Sequence, residues 1–530
     1  MLKYLIKRLI FGIFAIIAAM AIVMLLIYTF MDRDLVFAKD PMFTRQTSNA
    51  RFVYMYAKWE EYGYLDYVPY TEWLQDLANK GEIDEETRSA AAAFGRTPEE
   101  DSEVVQEYAA RFIEDYQSQG YSIVRKDAEL LGGRLAAGGA QVFFAHRDIP
   151  LLNRLFSYLG SFITVDSIHY SEREDPAGVG VENPGVTFTL HDPVYGGKKF
   201  SPAIIGNGTE HKYLLYFTSD FPFIHQNIAT IKLGTSYTVN KGVDVFATMT
   251  QSQGSYVLSD TTFPTGLQEQ AADNLHEATY SPGSLATGGE FLQARYTDDY
   301  TNVDTIKQSY AKLGFSFVIG IIAVVVSYLL GVPMGILMAL RKDGLIDKLG
   351  TMYVIFISAV PSLAYIFMFR AIGDSVFHLP TTFDLEKGSK LMYVLPMISL
   401  ALPQAAGTMK WLRRYMIDQM NSDYVKFARS GGLTEGEIFR KHILKNAAIP
   451  IFNGIPGSII FAMTGAIITE RLYSVPGAGG LLTDAIAAYD NGVIVGMALF
   501  YSALSVISMI LGDILMAVVD PRISFTEKAR

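Results

Sequence analysis

KLGFSFVIGIIAVVVSYLLGVPMGILMALR, residues 312–341, is the stretch on which the fold turns. Between Lys312 and Arg341 lie 28 residues without a charge. A helix crosses the roughly 30 Å hydrocarbon core of a bilayer in about 20 residues, whereas buried helices of soluble proteins carry apolar runs nearer 10–14. Working outward from this run, five others have the same character: Leu9–Met31 (23 residues), Leu349–Phe369 (21), Leu391–Met409 (19), Asn446–Thr469 (24) and Asn491–Gly512 (22). The first follows Lys3, Lys7 and Arg8, as a signal peptide would. It is longer than the 7–15 residues of a signal core, and no small-x-small cleavage site follows Tyr28-Thr29-Phe30, so a retained helix is expected. The fold class expected is a polytopic α-helical membrane protein with six transmembrane helices.

Short loops set the orientation, because Lys and Arg concentrate on the cytoplasmic side. Lys3, Lys7 and Arg8 place the N-terminus inside. Alternation then places Arg341, Lys342 and Lys348 inside, together with residues 411–445 and the tail bearing Arg522, Lys528 and Arg530. The 411–445 loop carries seven Lys/Arg against four Asp/Glu. This leaves residues 32–309 outside, as one extracellular domain between helices 1 and 2. The division expected is therefore 1–31 for the cytoplasmic start and first helix, 32–309 for the external domain, and 310–530 for the membrane core. Residues 31–309 hold 39 acidic and 22 basic residues, so the total of −10 splits into −17 outside and +7 elsewhere.

Composition excludes several functions. With no cysteine there is no disulfide scaffold, thiolate zinc site, cysteine nucleophile or iron–sulfur cluster. An acidic total disfavours nucleic acid as a partner. No Gly-x4-Gly-Lys loop and no Gly-x-Ser-x-Gly elbow occurs, so neither ATP hydrolysis nor other catalysis is expected of this chain, and no metal or cofactor of its own. His146, His169, His191, His211, His225 and His276 are scattered without metal-type spacing.

Within the external domain, Glu72–Leu77, Ile83–Ala93 and Glu103–Tyr116 carry helical periodicity, and Thr97-Pro98-Glu99-Glu100 resembles a helix start. From Ala140 onward, Val142–Phe144, Val186–Leu190, Tyr213–Phe217, Tyr237–Val245 and Tyr256–Leu258 read as strands, separated by turns such as Asn207-Gly208 and Pro282-Gly283. An α+β domain is expected.

The largest cytoplasmic loop reads as a helix–turn–helix. Asp423 would cap a short helix, Gly431-Gly432 would break it, and Thr434 with Glu437 would form a capping box opening a second amphipathic helix. Phe427, Leu433, Ile438 and Phe439 are apolar groups that a lone loop would leave exposed, which suggests docking into a partner's groove.

This stretch resembles the coupling loop of ABC-transporter permeases of the oligopeptide and dipeptide importer branch. The match lies at Ala428, Gly432 and Leu433, continued by His442, Leu444, Lys445, Asn446, Ala447 and Pro450. Four further stretches agree in order: Tyr4, Lys7, Arg8 and Leu9; Gly331-Val-Pro333-Met-Gly335; Glu470-Arg-Leu-Tyr-Ser-Val-Pro476-Gly477-Ala-Gly479; and Asp513 with Asp520-Pro521-Arg522. Leu233-Gly234-Thr235-Ser236 is a weaker match. Lys426 and Phe427 depart from the acidic and alanine positions of the motif, and Gly431 precedes its glycine. The long external segment is similar to the variant found in Gram-positive Ami-type oligopeptide permeases.

The resemblance implies a type I importer permease in the plasma membrane of a Gram-positive bacterium. It implies four kinds of protein partner or surround: a second homologous permease, two cytoplasmic ATPases that hold ATP and magnesium, an extracellular peptide-binding lipoprotein, and the lipid bilayer. Coupling to the ATPases would run through Tyr424, Lys426, Phe427, Ala428, Arg429, Gly431, Gly432, Leu433, Thr434, Glu437 and His442. Arg429, Arg440 and Lys441 would face acidic groups or headgroups. Glu470, Pro476, Gly477 and Gly479 would form the family's external loop. Pro333, Ser362, Ser399 and Gln404 are candidates to line the path, because prolines bend spans and polar groups tolerate a peptide backbone. Arg370 and Asp374 are expected as an ion pair at the outer end of span 3. Alternatives are a permease for dipeptides, nickel or sugar, or a membrane sensor with an external ligand-binding domain.

Overall fold

Packing of the long helices begins at glycines. In the computed structural model, which describes residues 2–168, 183–218, 223–251, 258–281, 283–305, 312–384 and 389–519, helix Lys312–Leu340 pairs along much of its length with Val394–Met420. A Cβ on Gly331 would lie 2.8 Å from Thr408 Cβ, and one on Gly335 would lie 3.2 Å from Leu412 Cβ. The Gly331-Val-Pro-Met-Gly335 stretch is thus a close-approach face of the kind that lets membrane helices pack by van der Waals contact. Gly12 plays the same part where the first helix meets the last, at Val506.

Among the described residues four helices are long and apolar enough to cross a membrane: Lys3–Phe30, Lys312–Leu340, Lys390–Met420 and Asn491–Val519. The sequence predicts six spans, and two of the runs do not form a single long apolar helix. The run Leu349–Phe369 forms two helices, Leu345–Ala359 and Ser362–Phe377, that meet at 116°. Pro361 is the cause: Val360 before it is extended (φ −84°, ψ 132°), as a residue preceding proline tends to be. Counted as one, the bent pair brings the total to five. The run Asn446–Thr469 lies on Leu444–Gly465, which contains Pro450 and Pro456, and a shorter helix Ile467–Tyr473 continues after Ala466.

The insert between the first two long helices is α+β. Its first unit is an antiparallel three-stranded sheet in the order Leu65–Pro69, Val142–Asp148, Ser122–Lys126. Helices Tyr70–Asn79, Glu85–Ala91 and Glu103–Ser118 complete its core around Tyr70, Trp73, Phe112 and Phe143. A second, four-stranded antiparallel sheet runs Ile224–Gln226, Tyr213–Phe217, Ala203–Asn207, Gly185–Thr189. His276 is buried there, stacked on Tyr216 and 2.8 Å from Asp192, so it belongs to the core.

Two local expectations are corrected. Thr97–Glu100 opens only a single 3₁₀ turn, and the helix starts at Glu103 with Ser102 as its cap. Asp101 interrupts the run by turning inward, where it accepts from Gly95 N–H and pairs with Arg125. Tyr237–Val245 is not a strand. Its backbone N–H groups are drawn to a carboxylate of the membrane core, as described below, and Val245 begins a short helix, Val245–Thr250. His169, Pro282, Tyr256 and the Asp520-Pro521-Arg522 tail with Lys528 and Arg530 lie outside the described residues.

Candidate functional site

The 423–445 hairpin is built on a buried base with an exposed tip. Helix Asp423–Ser430 is preceded by Ser422 rather than capped by Asp423, which instead holds Lys426 at 2.9 Å. Gly431 closes the helix, and Gly432 takes φ +84°. Thr434 and Glu437 then form both bonds of the expected capping box. Helix Glu435–Ile438 passes through a π-turn, Phe439–Ile443, into Leu444–Gly465. Val425, Ala428, Ile438 and Ile443 pack against Ala339, Leu412 and Met416 of the two central helices. The hairpin is therefore anchored to the helices that it would move.

Of the four apolar groups expected to project, Ile438 is fully buried and Leu433 and Phe439 are half-buried. Helix periodicity alone does not reveal that the hairpin folds back onto its own bundle. Phe427 remains 80% exposed, with Tyr424 at the edge of exposure. The Tyr424 hydroxyl accepts from Asn446 Nδ2 at 3.0 Å, which ties the first helix to the last turn of the loop. Arg429 and Glu435 form a two-pronged pair across the glycine turn, and Lys441 reaches Glu437 at 3.5 Å. The first pair raises the Arg429 pKa and lowers that of Glu435, while the hydrogen bonds from Thr434, helped by Lys441, lower that of Glu437. Both sides are open to water, so the pairs shape the turn more than they stabilise it. Gly436, Arg440 and Lys441 are exposed, and His442 lies 6.3 Å from the Tyr424 ring, centroid to centroid.

At the opposite end, Glu470 is buried and organises the loop that follows it. Its carboxylate accepts from Ser316 Oγ (2.5 Å) and from the N–H groups of Gly479 (2.8 Å) and Gly480 (3.2 Å). Ser316 Oγ in turn accepts from Ala478 N–H at 2.8 Å. A Cβ on Gly477 would run into the Glu470 carboxylate, so the glycine is required by close approach. Pro476 is half-buried on the turn between. Ser316, which sequence reasoning missed, is one of few polar groups in its charge-free run, and that was its only signal.

A second buried carboxylate, Asp490, stands in the sequence only as the boundary of a charge-free run. It accepts from Ser236 Oγ (2.7 Å) and from the N–H groups of Tyr237 (2.9 Å), Thr238 (3.0 Å) and Val239 (3.0 Å). The Leu233-Gly234-Thr235-Ser236 stretch of the insert is thereby clasped to the start of the last long helix. The termini also meet: Tyr4 donates to Asp513 at 2.9 Å, and Arg8 lies 3.2 Å from the same carboxylate.

The path candidates divide. Ser399 is buried and shares a 3.0 Å hydrogen bond with the Tyr473 hydroxyl, so helix packing occupies it. Pro333 and Ser362 are exposed. Gln404 keeps a buried amide oxygen without a partner among the described residues. Arg370 does not pair with Asp374. Its guanidinium donates to the Leu472 carbonyl at 3.2 Å and lies over the Tyr473 ring. Among the described residues no group of three or more His, Asp or Glu could hold a metal ion.

Comparison with known proteins places these features. The family model for the binding-protein-dependent transport system inner membrane component matches residues 331–525, which contain the whole hairpin. The oligopeptide transport system permease protein AmiC of Streptococcus pneumoniae is 34% identical over 534 residues, covering 100% of this chain and 99% of that one. The chain belongs to the oligopeptide ABC-importer permease family. It is accordingly a multi-pass membrane transport subunit and not an enzyme. A shorter relative, the dipeptide transport system permease protein DppB of Lactococcus lactis, is 32% identical over 228 residues, 42% of this permease and 73% of its own length. Among solved structures, the MetNI methionine ABC transporter in inward-facing conformations has a chain 14% identical, with a TM-score of 0.32, over 39% of this permease and 93% of that chain.

Proposed function

We propose that this permease moves oligopeptides, delivered by an external lipid-anchored binding protein, into the cytoplasm through a path it forms with a second, homologous permease. Both termini lie in the cytoplasm of a Gram-positive cell, residues 32–309 lie outside, and the bent pair and the Leu444–Gly465 segment complete six crossings. Two partner ATPases hold ATP and magnesium. Their closure is delivered through residues 424–445 and rocks the bundle between inward- and outward-open states. The observation that carries this reading is Phe427, a large aromatic left 80% exposed at the tip of a hairpin whose base is packed into the membrane helices. An exposed aromatic over a rigid base is the form of an interface anchor. The cargo follows from the AmiC relative, which matches end to end.

The test is Phe427→Ala in the assembled transporter. Because Phe427 contributes little to the chain's own core, membrane insertion should be unchanged. Loss of an anchor typically costs about 2 kcal/mol or more, roughly thirtyfold in affinity, so ATPase co-purification and peptide uptake should both collapse. Retention of both at wild-type levels would overturn the reading.

A further inference from the structure

One element of the insert combines an almost charge-free sequence with a seat on the first membrane helix. Residues 149–165, IPLLNRLFSYLGSFITV, carry a single charge, Arg154. Leu151–Ser161 is an amphipathic helix. One side, through Leu155, Tyr158 and Leu159, packs on the core that contains Met20 and Met24 of the first long helix and Val493 and Met497 of the last. Tyr158 donates to the Leu233 carbonyl at 3.2 Å. The other side exposes Leu152 (63%) and Phe156 (66%), one helical turn apart, followed by exposed Ile163 and Val165.

From these observations we infer that Leu151–Ser161 is an interfacial helix that seats Leu152 and Phe156 in the outer leaflet of the bilayer. The inference rests on the reading that residues 32–309 lie outside the cell. Continuity with the membrane helix argues for lipid as the occupant. Leu151–Ser161 packs on the first long helix, and Arg154 lies over Tyr28, two residues before that helix ends at Phe30. An element docked at the end of a membrane span lies where amphipathic helices bury an apolar face at the headgroup and acyl boundary. Leu25, Leu26 and Phe30 of the first helix are exposed at the same level. Arg154 stacks over the rings of Tyr28 (3.7 Å) and Tyr64 (4.1 Å), which fixes the inner side of the helix to the end of the first long helix.

The absence of native cysteine makes the test direct. Leu152→Cys, Phe156→Cys, Asn153→Cys and Ser157→Cys are each introduced into the full chain, spin-labelled, and reconstituted in nanodiscs of phosphatidylcholine and phosphatidylglycerol. Collision with lipid-dissolved oxygen is compared with collision with a water-soluble nickel chelate, using Leu26→Cys as the lipid reference. Labels at 152 and 156 should show oxygen-to-nickel ratios near that reference and several-fold above the label at 153 or 157. Equal access of nickel to all four positions would overturn the inference, as would exclusion of both agents from 152 and 156, which would mean a protein partner covers the face. Lys80→Cys, labelled on intact cells with a membrane-impermeant maleimide, tests sidedness separately. If Lys80→Cys is labelled from outside while 152 and 156 face water, the interfacial helix fails and the topology stands. If Lys80→Cys is not labelled, the topology itself fails.

Discussion

Gly432 shows what a single residue contributes to coupling. Nothing lies within 4 Å of where its Cβ would be, so space is not the constraint. Its φ of +84° is. Side chains other than glycine pay on the order of 1–3 kcal/mol to hold such a conformation, with asparagine the best tolerated. Gly432→Val should therefore reorient the exposed tip and reduce ATPase co-purification and peptide uptake at least tenfold, while Gly432→Asn should retain most of both. Equal loss in the two variants would point to crowding by the ATPase instead of backbone conformation. Asp490 gives the converse case, a residue whose value is in its partners. Asp490→Ala would strand the N–H groups of Tyr237, Thr238 and Val239 in a buried site, at roughly 1–3 kcal/mol for each unsatisfied donor. A marked drop in the melting temperature of the purified permease is expected, and an unchanged one would show that water replaces the carboxylate. The glycine and the capping box were legible because their spacing is local. Asp490 was not, because its partners lie some 250 positions away in a loop that alternation misreads as a strand.

Among the elements, charge-free runs located the long helices and proline located their breaks, but the run alone could not distinguish a straight span from a bend of 116° at Pro361. The hairpin was legible as helix–turn–helix, whereas burial of Ile438 follows from contacts with Leu412 and Met416 that no local pattern encodes. In the insert, Asp40 joins three elements. It accepts from Tyr54 (2.7 Å), Lys241 (2.7 Å) and Met42 N–H (2.9 Å). Burial alone would push the Asp40 carboxyl up, but these hydrogen bonds outweigh it and hold its pKa below the ordinary value. A depressed carboxylate contributes stability above its unfolded pKa of about 4 and loses that contribution as pH falls through the folded value. Resistance of the insert to limited proteolysis should therefore be full near neutral pH and decline below about pH 4. Asp40→Asn should lower it at neutral pH and flatten the dependence. An unaltered pH profile in that variant would assign the acid sensitivity to other carboxylates.

For the whole molecule, the division of charge into −17 over residues 31–309 and +7 elsewhere was readable from the sequence, but the way the insert sits was not. It is seated on the bundle. Leu233, Val245 and Met249 share one core with Met20, Met24, Val493 and Met497, and Asp490 clasps the same segment. Removing the insert wholesale would open that core, so loss of transport after such a cut would say nothing about what the insert binds. The first α+β unit offers a cleaner cut. Its residues Tyr70, Trp73, Leu74, Phe112 and Phe143 form a core of their own, and Pro69 and Phe144 are paired neighbours in adjacent antiparallel strands. Such Cα atoms lie about 4.5–5.5 Å apart, a gap that an Asn-Gly turn closes. Excising residues 70–143 removes fifteen acidic and seven basic residues while leaving the clasp and the membrane core in place. If this acidic lobe docks the binding protein, the shortened permease should still insert and retain both ATPases, yet lose capture of the binding protein and most peptide uptake. Wild-type capture and uptake would instead make the lobe an extension without a part in delivery, and would move the docking surface to the sheet and loops nearer the membrane.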